Sequence, residues 1–242
     1  MKNVKELIVI TGASSGIGRS TAIEFSERGY PLLILGRRLE KLKELNLPNT
    51  LCKEVDVTDK NALKLAIDEA KLKFGPVGGL INNAGLMLLG KVGEQNAQEW
   101  QKMFDINVMG MLNGIDLVLP EMKKRNMGTI INISSIAGKK SFPNHVAYTG
   151  TKFAVHGISE NLREEVSEHN IRVITIAPGA VETELLGHTS SQEIKDGYES
   201  WKDSMGGVLK AEDIAQSIAF VYGQPQNVCI RELVIAATRQ QA

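Results

Sequence analysis

Seven short, almost wholly apolar runs alternate along this chain with longer segments of helical period, and that alternation limits what it can fold into. The apolar runs occupy 7–10, 31–35, 50–55, 79–82, 129–133, 172–177 and 231–236. Helical periodicity covers 17–28, 38–45, 60–74, 97–124, 146–168 and 212–222. A strand with one face in water alternates apolar and polar residues, whereas a strand apolar throughout must be covered on both sides. Such strands separated by helices predict an α/β fold: a seven-stranded parallel sheet with helices on both faces. Capping signals agree, with Thr58-Asp59 and Asn96 ahead of two helices and Lys123-Lys124-Arg125 at a helix end where the dipole favours cations. No repeat, low-complexity tract or Pro/Ser-rich linker divides the 242 residues, so 1–242 reads as a single domain with a substantial core.

Composition removes several function classes. Lys+Arg and Asp+Glu both number 28, so no net charge draws the chain towards nucleic acid or an anionic membrane. The basic cluster around Arg125 reads as a solvated surface. No run approaches the length needed to cross a bilayer, and the apolar stretch 7–10 after the first residues is short for a secretory segment. The expectation is a cytoplasmic protein with neither membrane nor nucleic-acid partner. Cys52 and Cys229 have no metal-site spacing and read as small buried hydrophobes. His145, His156, His169 and His188 likewise show no ligand spacing, so no metal is expected.

The first apolar run leads into Thr11-Gly12-Ala13-Ser14-Ser15-Gly16-Ile17-Gly18, which opens a helix. Glycines at 12, 16 and 18 allow a tight turn and close approach of a ligand. The helix start then offers free N–H groups and the positive end of its dipole to a pyrophosphate. Strand, loop and helix in this order suit a dinucleotide. The second strand ends in Gly36-Arg37-Arg38. A carboxylate there would bind the adenosine ribose of NAD; an arginine instead suits the 2′-phosphate of NADP. Arg37 and Arg38 therefore predict NADP(H), against the plainer reading of two solvated arginines starting a helix.

Tyr148 and Lys152 lie four residues apart in a helical segment, hence on one face. At about 5 Å and an effective dielectric of about 20, Coulomb's law favours the phenolate by roughly 3.3 kcal/mol. That would bring a phenol that ionises at about pH 10 towards physiological pH, as an acid–base catalyst needs. Alone, the pair also fits an aromatic helix anchor beside a solvated lysine.

Thr11–Gly18, Asp56-Val57, Asn82-Asn83-Ala84-Gly85, Asn107, Ser135, Tyr148/Lys152 and Pro178-Gly179 occur in the order found in single-domain short-chain dehydrogenases/reductases, which the chain resembles over nearly its whole length. The resemblance implies a Rossmann-type doubly wound domain and an NADP(H)-dependent oxidoreductase that moves hydride between nicotinamide and a small secondary alcohol or carbonyl compound. It further implies that Asp56 and Val57 contact adenine and that Asn83, Ala84 and Gly85 line the cofactor's path. Asn107 would help hold a water behind Lys152. Ser135 would hydrogen-bond the substrate oxygen, and Tyr148 would be the acid/base. Lys152 would lower the tyrosine's pKa and bind the nicotinamide ribose. Pro178, Gly179, Val181 and Thr183 would meet the nicotinamide end.

The ending Asn227-Val228-Cys229-Ile230-Arg231-Glu232-Leu233-Val234-Ile235 resembles the branch containing NADP-dependent hydroxy-acid and serine dehydrogenases and broad-range carbonyl reductases, which implies a 3-hydroxy acid as one substrate class. Leu86, Phe142, Pro143, Leu185 and Trp201 would make a largely apolar pocket, with Arg231 and Lys139 as candidates for a substrate carboxylate. His145 reads either as a pocket residue or as a half-exposed histidine at a helix start. The irregular segment 183–210, with Tyr198, Trp201 and Met205, reads as a substrate lid or as a surface excursion pinned by its aromatics. Helices 97–124 and 146–168, with Met109, Leu112, Val155 and Ile158 facing outward, would pair subunits into a dimer or tetramer. The alternative function is a catalytically silent NADP(H)-binding regulator.

Overall fold

The first apolar run becomes β1 (Leu7–Thr11), buried along its whole length, and every strand that follows is parallel to its neighbours. The computed structural model describes residues 5–241; the first four residues and the last residue of the domain read over 1–242 lie outside the described residues. The strands are β2 (Leu32–Gly36), β3 (Thr50–Glu54), β4 (Val77–Asn82), β5 (Gly128–Ile133), β6 (Ile171–Pro178) and β7 (Glu232–Ile235). They form one seven-stranded sheet in the order β3-β2-β1-β4-β5-β6-β7. The order reverses between β1 and β4, where a doubly wound sheet opens a crevice at the carboxyl ends of its strands.

Alternate residues of each strand serve opposite layers. Leu7 and Val9 point towards α3 (Lys60–Phe74), α5 (Gly110–Arg125) and α6 (Val146–Val166), meeting Leu63, Ile115 and Val155. Ile8 and Ile10 point towards α1 (Gly16–Glu27), α2 (Leu39–Lys43) and α8 (Ala211–Tyr222), meeting Phe25, Leu42 and Ile218. Fully burying side chains of this size stabilises by about 1.5–3 kcal/mol each, which is why the sheet needs helices on both sides. The predicted caps form: Asp59 accepts from the Ala62 N–H and Asn96 from the Gln98 N–H.

Three readings need correction. The helix predicted over 97–124 is α4 (Ala97–Phe104), a π turn at Asp105–Met109, and α5. One residue too many in that turn rotates Asn107 inwards, where its amide bonds the Leu86 backbone. Val155 does not face outward: it is sealed in the core because α6 turns that side to the sheet, while Met109 is exposed as expected, together with Phe104 and Phe153. The cysteines are free thiols but only half buried, each at the margin of the layer covered by α1 and α8.

The segment after β6 is ordered, not irregular. A 3₁₀ turn (Glu184–His188) precedes α7 (Gln192–Ser204). The excursion is tied at its base, where Glu182 N–H donates to the Leu209 carbonyl and Leu209 N–H to the Ala180 carbonyl. Among the described residues, no helix is long and apolar enough to cross a membrane.

Candidate active site

Two loops meet where the strand order reverses. The turn after β1 and the turn after β4 touch so closely that a Cβ on Gly12 (φ +67°) would lie 2.7 Å from the Ala84 Cα. Asn83 holds the contact, its Nδ2 donating to the carbonyls of Thr11 and Gly12, while Thr11 Oγ1 accepts from the N–H groups of Asn83 and Ala84. A Cβ on Gly18 would fall within 2.4 Å of Asn83 Nδ2 and the Gly12 carbonyl. Gly18 is thus needed behind the loop and does not line the cleft.

Ser15 stands at the N-cap of α1 yet makes no capping hydrogen bond. Its Oγ instead accepts from Arg38, 2.8 Å away, and Arg38 also reaches Ser14. The first N–H groups of α1 therefore lack a side-chain cap and carry the dipole's positive end. Arg38 completes its hydrogen bonding with Glu184, which this pairing holds below the usual carboxylate range. Arg37 makes no side-chain hydrogen bond among the described residues. Asp56 is pushed up by burial but pulled further down by hydrogen bonds from Thr58 and the charges of Arg37 and Lys102, so its carboxyl lies below the ordinary range. An uncapped helix end, a glycine turn too tight for side chains and two arginines make a fitting cradle for a phosphorylated dinucleotide.

These groups line one cavity of about 710 Å³ with the residues predicted for the chemistry. Gly12, Ser14, Ser15, Gly16, Ile17, Arg37, Arg38, Asp56 and Val57 are at one end. Asn83, Ala84, Gly85, Ser135, Tyr148, Lys152, Pro178, Gly179, Val181 and Thr183 also line it. So do Leu86, Phe142, Pro143, Leu185 and Trp201 of the expected apolar pocket. Arg231 and Lys139 do not; Lys139 is instead paired with Glu232.

Ser135 lies two residues beyond β5 and caps the following 3₁₀ turn (Ile136–Gly138), its Oγ accepting from the Ala137 N–H. Ser134 points the other way, donating to the Lys152 carbonyl. Tyr148 and Lys152 share the buried face of α6, with Nζ 5.6 Å from the phenol ring centre. The ammonium donates to the Ile133 carbonyl at 2.9 Å. Here the Coulomb expectation fails in sign. Burial pushes the Tyr148 phenol well above its ordinary range, offset only in part by the Ser135 hydroxyl. Burial also pulls Lys152 down to about 8. Desolvation penalises both charged forms and is the largest influence on each.

Asn107 does not line the cavity. Its Oδ1 accepts from the Leu86 N–H, and its Nδ2 donates to the Leu86 carbonyl and to Thr151 Oγ1, which itself donates to the Tyr148 carbonyl. The side chain is spent on backbone and Thr151, and so braces the catalytic turn of α6. His145 is buried, not half exposed, because Phe142, Tyr148 and Tyr198 enclose its ring. Several lining residues had no role in the sequence reading, Glu184 among them, and Tyr198 entered it only as part of the possible lid. Glu184 follows Thr183 at the start of a 3₁₀ turn and gives no periodic signal. Tyr198, by contrast, stands with Ile194 and Trp201 at i, i+4 and i+7, a helical pattern that was legible.

Relatives agree with the geometry. The sequence profile of the short chain dehydrogenase family matches residues 6–194. An uncharacterized oxidoreductase of Staphylococcus saprophyticus is 39% identical over 99% of each chain. One from Listeria monocytogenes is 36% identical over 97% of each. Among solved structures, a closed form of serine dehydrogenase complexed with NADP+ superposes with a TM-score of 0.91 at 29% identity, covering 98% of this chain and 96% of that one. ElxO with NADP bound gives 0.84 at 31% identity, covering 96% and 97%. The fold, the converging loops and these likenesses lead to one conclusion: the chain belongs to the short-chain dehydrogenase family and is an oxidoreductase.

Proposed function

We propose that the protein is an NADP(H)-dependent oxidoreductase that interconverts a small secondary alcohol and its carbonyl compound. The observation that carries this is the placement of Ser135, Tyr148 and Lys152 on the wall of the cavity that also holds the uncapped start of α1 and Arg37 and Arg38. The coenzyme supplies or takes the hydride when bound. The loops at 12–17 and 83–85 would hold its pyrophosphate and path, Arg37 and Arg38 its 2′-phosphate, Asp56 and Val57 its adenine. Pro178, Gly179, Val181 and Thr183 would meet its nicotinamide end.

Ser135 donates a hydrogen bond to the substrate oxygen, where negative charge grows as the carbonyl is reduced. Tyr148 gives its phenolic proton to that oxygen, completing the alcohol; oxidation returns the proton to the phenol. Lys152, braced through Ile133, places its positive charge beside the phenol and limits the cost of the phenolate left behind. NADP-bound relatives and the absence of an acid at Gly36 support the cofactor choice. The likeness to serine dehydrogenase supports a 3-hydroxy acid as one candidate substrate. The exposed Phe104, Met109 and Phe153 on α4, the π turn and α6 support a homo-oligomer, and two free thiols accord with the cytoplasm.

The test is a panel of ketones, aldehydes and hydroxy acids followed at the NADPH absorbance band, with NAD(H) in parallel. Tyr148→Phe should lower kcat by about 10²- to 10⁴-fold and leave NADPH binding intact. Tight coenzyme binding by the wild type without any substrate-dependent absorbance change defeats the reading.

A further inference from the structure

Part of the cavity wall is aromatic, and its rings come from two separate places. Phe142 and His145 belong to the turn that leads into α6, Tyr198 and Trp201 to α7 of the excursion after β6. Ring centres lie 5.7 Å apart for Phe142 and His145, 6.1 Å for His145 and Tyr198, and 5.2 Å for Tyr198 and Trp201. His145 also stands 6.1 Å from the ring of Tyr148, so the wall begins at the proton donor itself.

His145 differs from these neighbours in carrying a usable lone pair. Its Nδ1 lies 2.6 Å from the Pro143 carbonyl oxygen. A carbonyl oxygen only accepts, so Nδ1 must carry the hydrogen. Burial lowers the ring's pKa from its ordinary value, which keeps it neutral at physiological pH and leaves Nε2 without a proton. Nε2 has no hydrogen-bond partner among the described residues and is not among their sealed, unpartnered atoms, so it keeps an accessible lone pair on a residue that lines the cavity. An acceptor beside the reacting position and framed by aromatic faces asks for a donor on the substrate. A carboxylate there would set acceptor against acceptor and lose its hydration among rings. Lys202, the lining ammonium of α7, already bonds Glu199 at 2.7 Å.

We infer that His145 is a specificity-determining residue whose Nε2 accepts a hydrogen bond from a hydroxyl or N–H next to the reacting carbonyl, so that the site favours uncharged carbonyl compounds bearing such a donor and a flat apolar group over carboxylates. The inference rests on the assignment of Tyr148 as proton donor, since that fixes where the reacting carbonyl lies. It narrows the substrate class away from hydroxy acids.

Three aryl ketones of similar size separate the possibilities: 2-hydroxyacetophenone carries the donor, acetophenone lacks it, and benzoylformate replaces it with a carboxylate. With wild-type protein and NADPH, kcat/KM should be about 10-fold higher for the hydroxyketone than for acetophenone, the effect of one made hydrogen bond, and benzoylformate should rank last. His145→Phe keeps a ring and removes the acceptor. It should bring the hydroxyketone to acetophenone ratio to about 1, a ratio of kcat/KM values within one protein that does not depend on the absolute rate of the variant. Benzoylformate ranking first, or a ratio unchanged in His145→Phe, overturns the inference. The wild-type ranking decides it even if the variant does not fold. Turnover of hydroxy acids alone would sink this inference and spare the oxidoreductase reading. NADPH binding with no turnover of any substrate would sink both.

Discussion

Lys152 should cost the protein stability, and the cost can be worked out. In the unfolded chain its ammonium titrates at the ordinary 10.5; in the folded protein burial lowers this to about 8. At about 1.36 kcal/mol per pKa unit, holding the charged form inside costs about 3 kcal/mol at pH 7. The sign follows from proton binding. Between pH 8 and 10.5 the unfolded chain binds the proton more readily than the folded one, so the penalty is complete below about pH 8 and fades as pH rises towards 10.5. Lys152→Met keeps the length and apolar stem of the side chain and removes the charge. It forfeits the hydrogen bond to the Ile133 carbonyl, worth about 1 kcal/mol. The variant should therefore be about 2 kcal/mol more stable than wild type at pH 7, with turnover largely lost. At pH 9.5 the remaining penalty is about 1 kcal/mol, the lost hydrogen bond cancels it, and the two proteins should unfold together. Urea unfolding of the coenzyme-free proteins by circular dichroism at both pH values measures this. Tyr148, Tyr198 and Tyr222, all raised by burial, weaken both proteins alike at alkaline pH, so the difference between the two is the quantity read. A wild type as stable as the variant at pH 7, or a gap unchanged at pH 9.5, refutes the reasoning.

Two further changes test the coenzyme end. Arg37→Ala should weaken NADP(H) by about 10- to 100-fold, the worth of a charge-assisted hydrogen bond, and leave NAD(H) nearly unchanged; equal losses by titration calorimetry would remove Arg37 from 2′-phosphate recognition. Gly18→Ala drives a methyl against Asn83 Nδ2 and the Gly12 carbonyl, and overpacking of this kind costs about 1–3 kcal/mol. The melting temperature should fall by roughly 2–12 °C for a chain of this size, with weaker NADPH binding; an unshifted melt would show that the two loops are not locked as described.

How far such features can be read from sequence depends on whether their physics is local. The five inner strands were legible because a run apolar on both faces has few other places to go, whereas β3 and β7 lie half exposed at the sheet edges. The glycine loop and the Ser135, Tyr148, Lys152 spacing were legible because short-range geometry sets them. Asn107 was placed in the right helix, but its inward turn depends on an added residue that no periodicity reveals. Helix α7 was hidden by its polar composition and by Gly197, although Ile194, Tyr198 and Trp201 marked one face. The burial of His145 was illegible because half of its enclosure comes from Tyr198, fifty-odd residues downstream.

The sign of the Tyr148 shift was the largest departure, and it bears on direction. Coulomb attraction to Lys152 was weighed without the cost of drying both groups, and burial is the largest influence on each. A phenol held above its ordinary range is a proton donor at neutral pH, which suits carbonyl reduction as it stands. Alcohol oxidation needs the phenolate, so it must wait for added positive charge or for hydroxide. With saturating NADPH, kcat/KM for the carbonyl compound should be flat between pH 6 and 7, because Tyr148 stays protonated and Lys152 is still largely charged, and should fall about 2-fold by pH 8 as half of Lys152 loses its proton. With saturating NADP, kcat/KM for the alcohol should climb between pH 6 and 7. A reduction profile that falls off below pH 7 would mean that the phenol ionises early, and that the attraction of Lys152 outweighs burial after all.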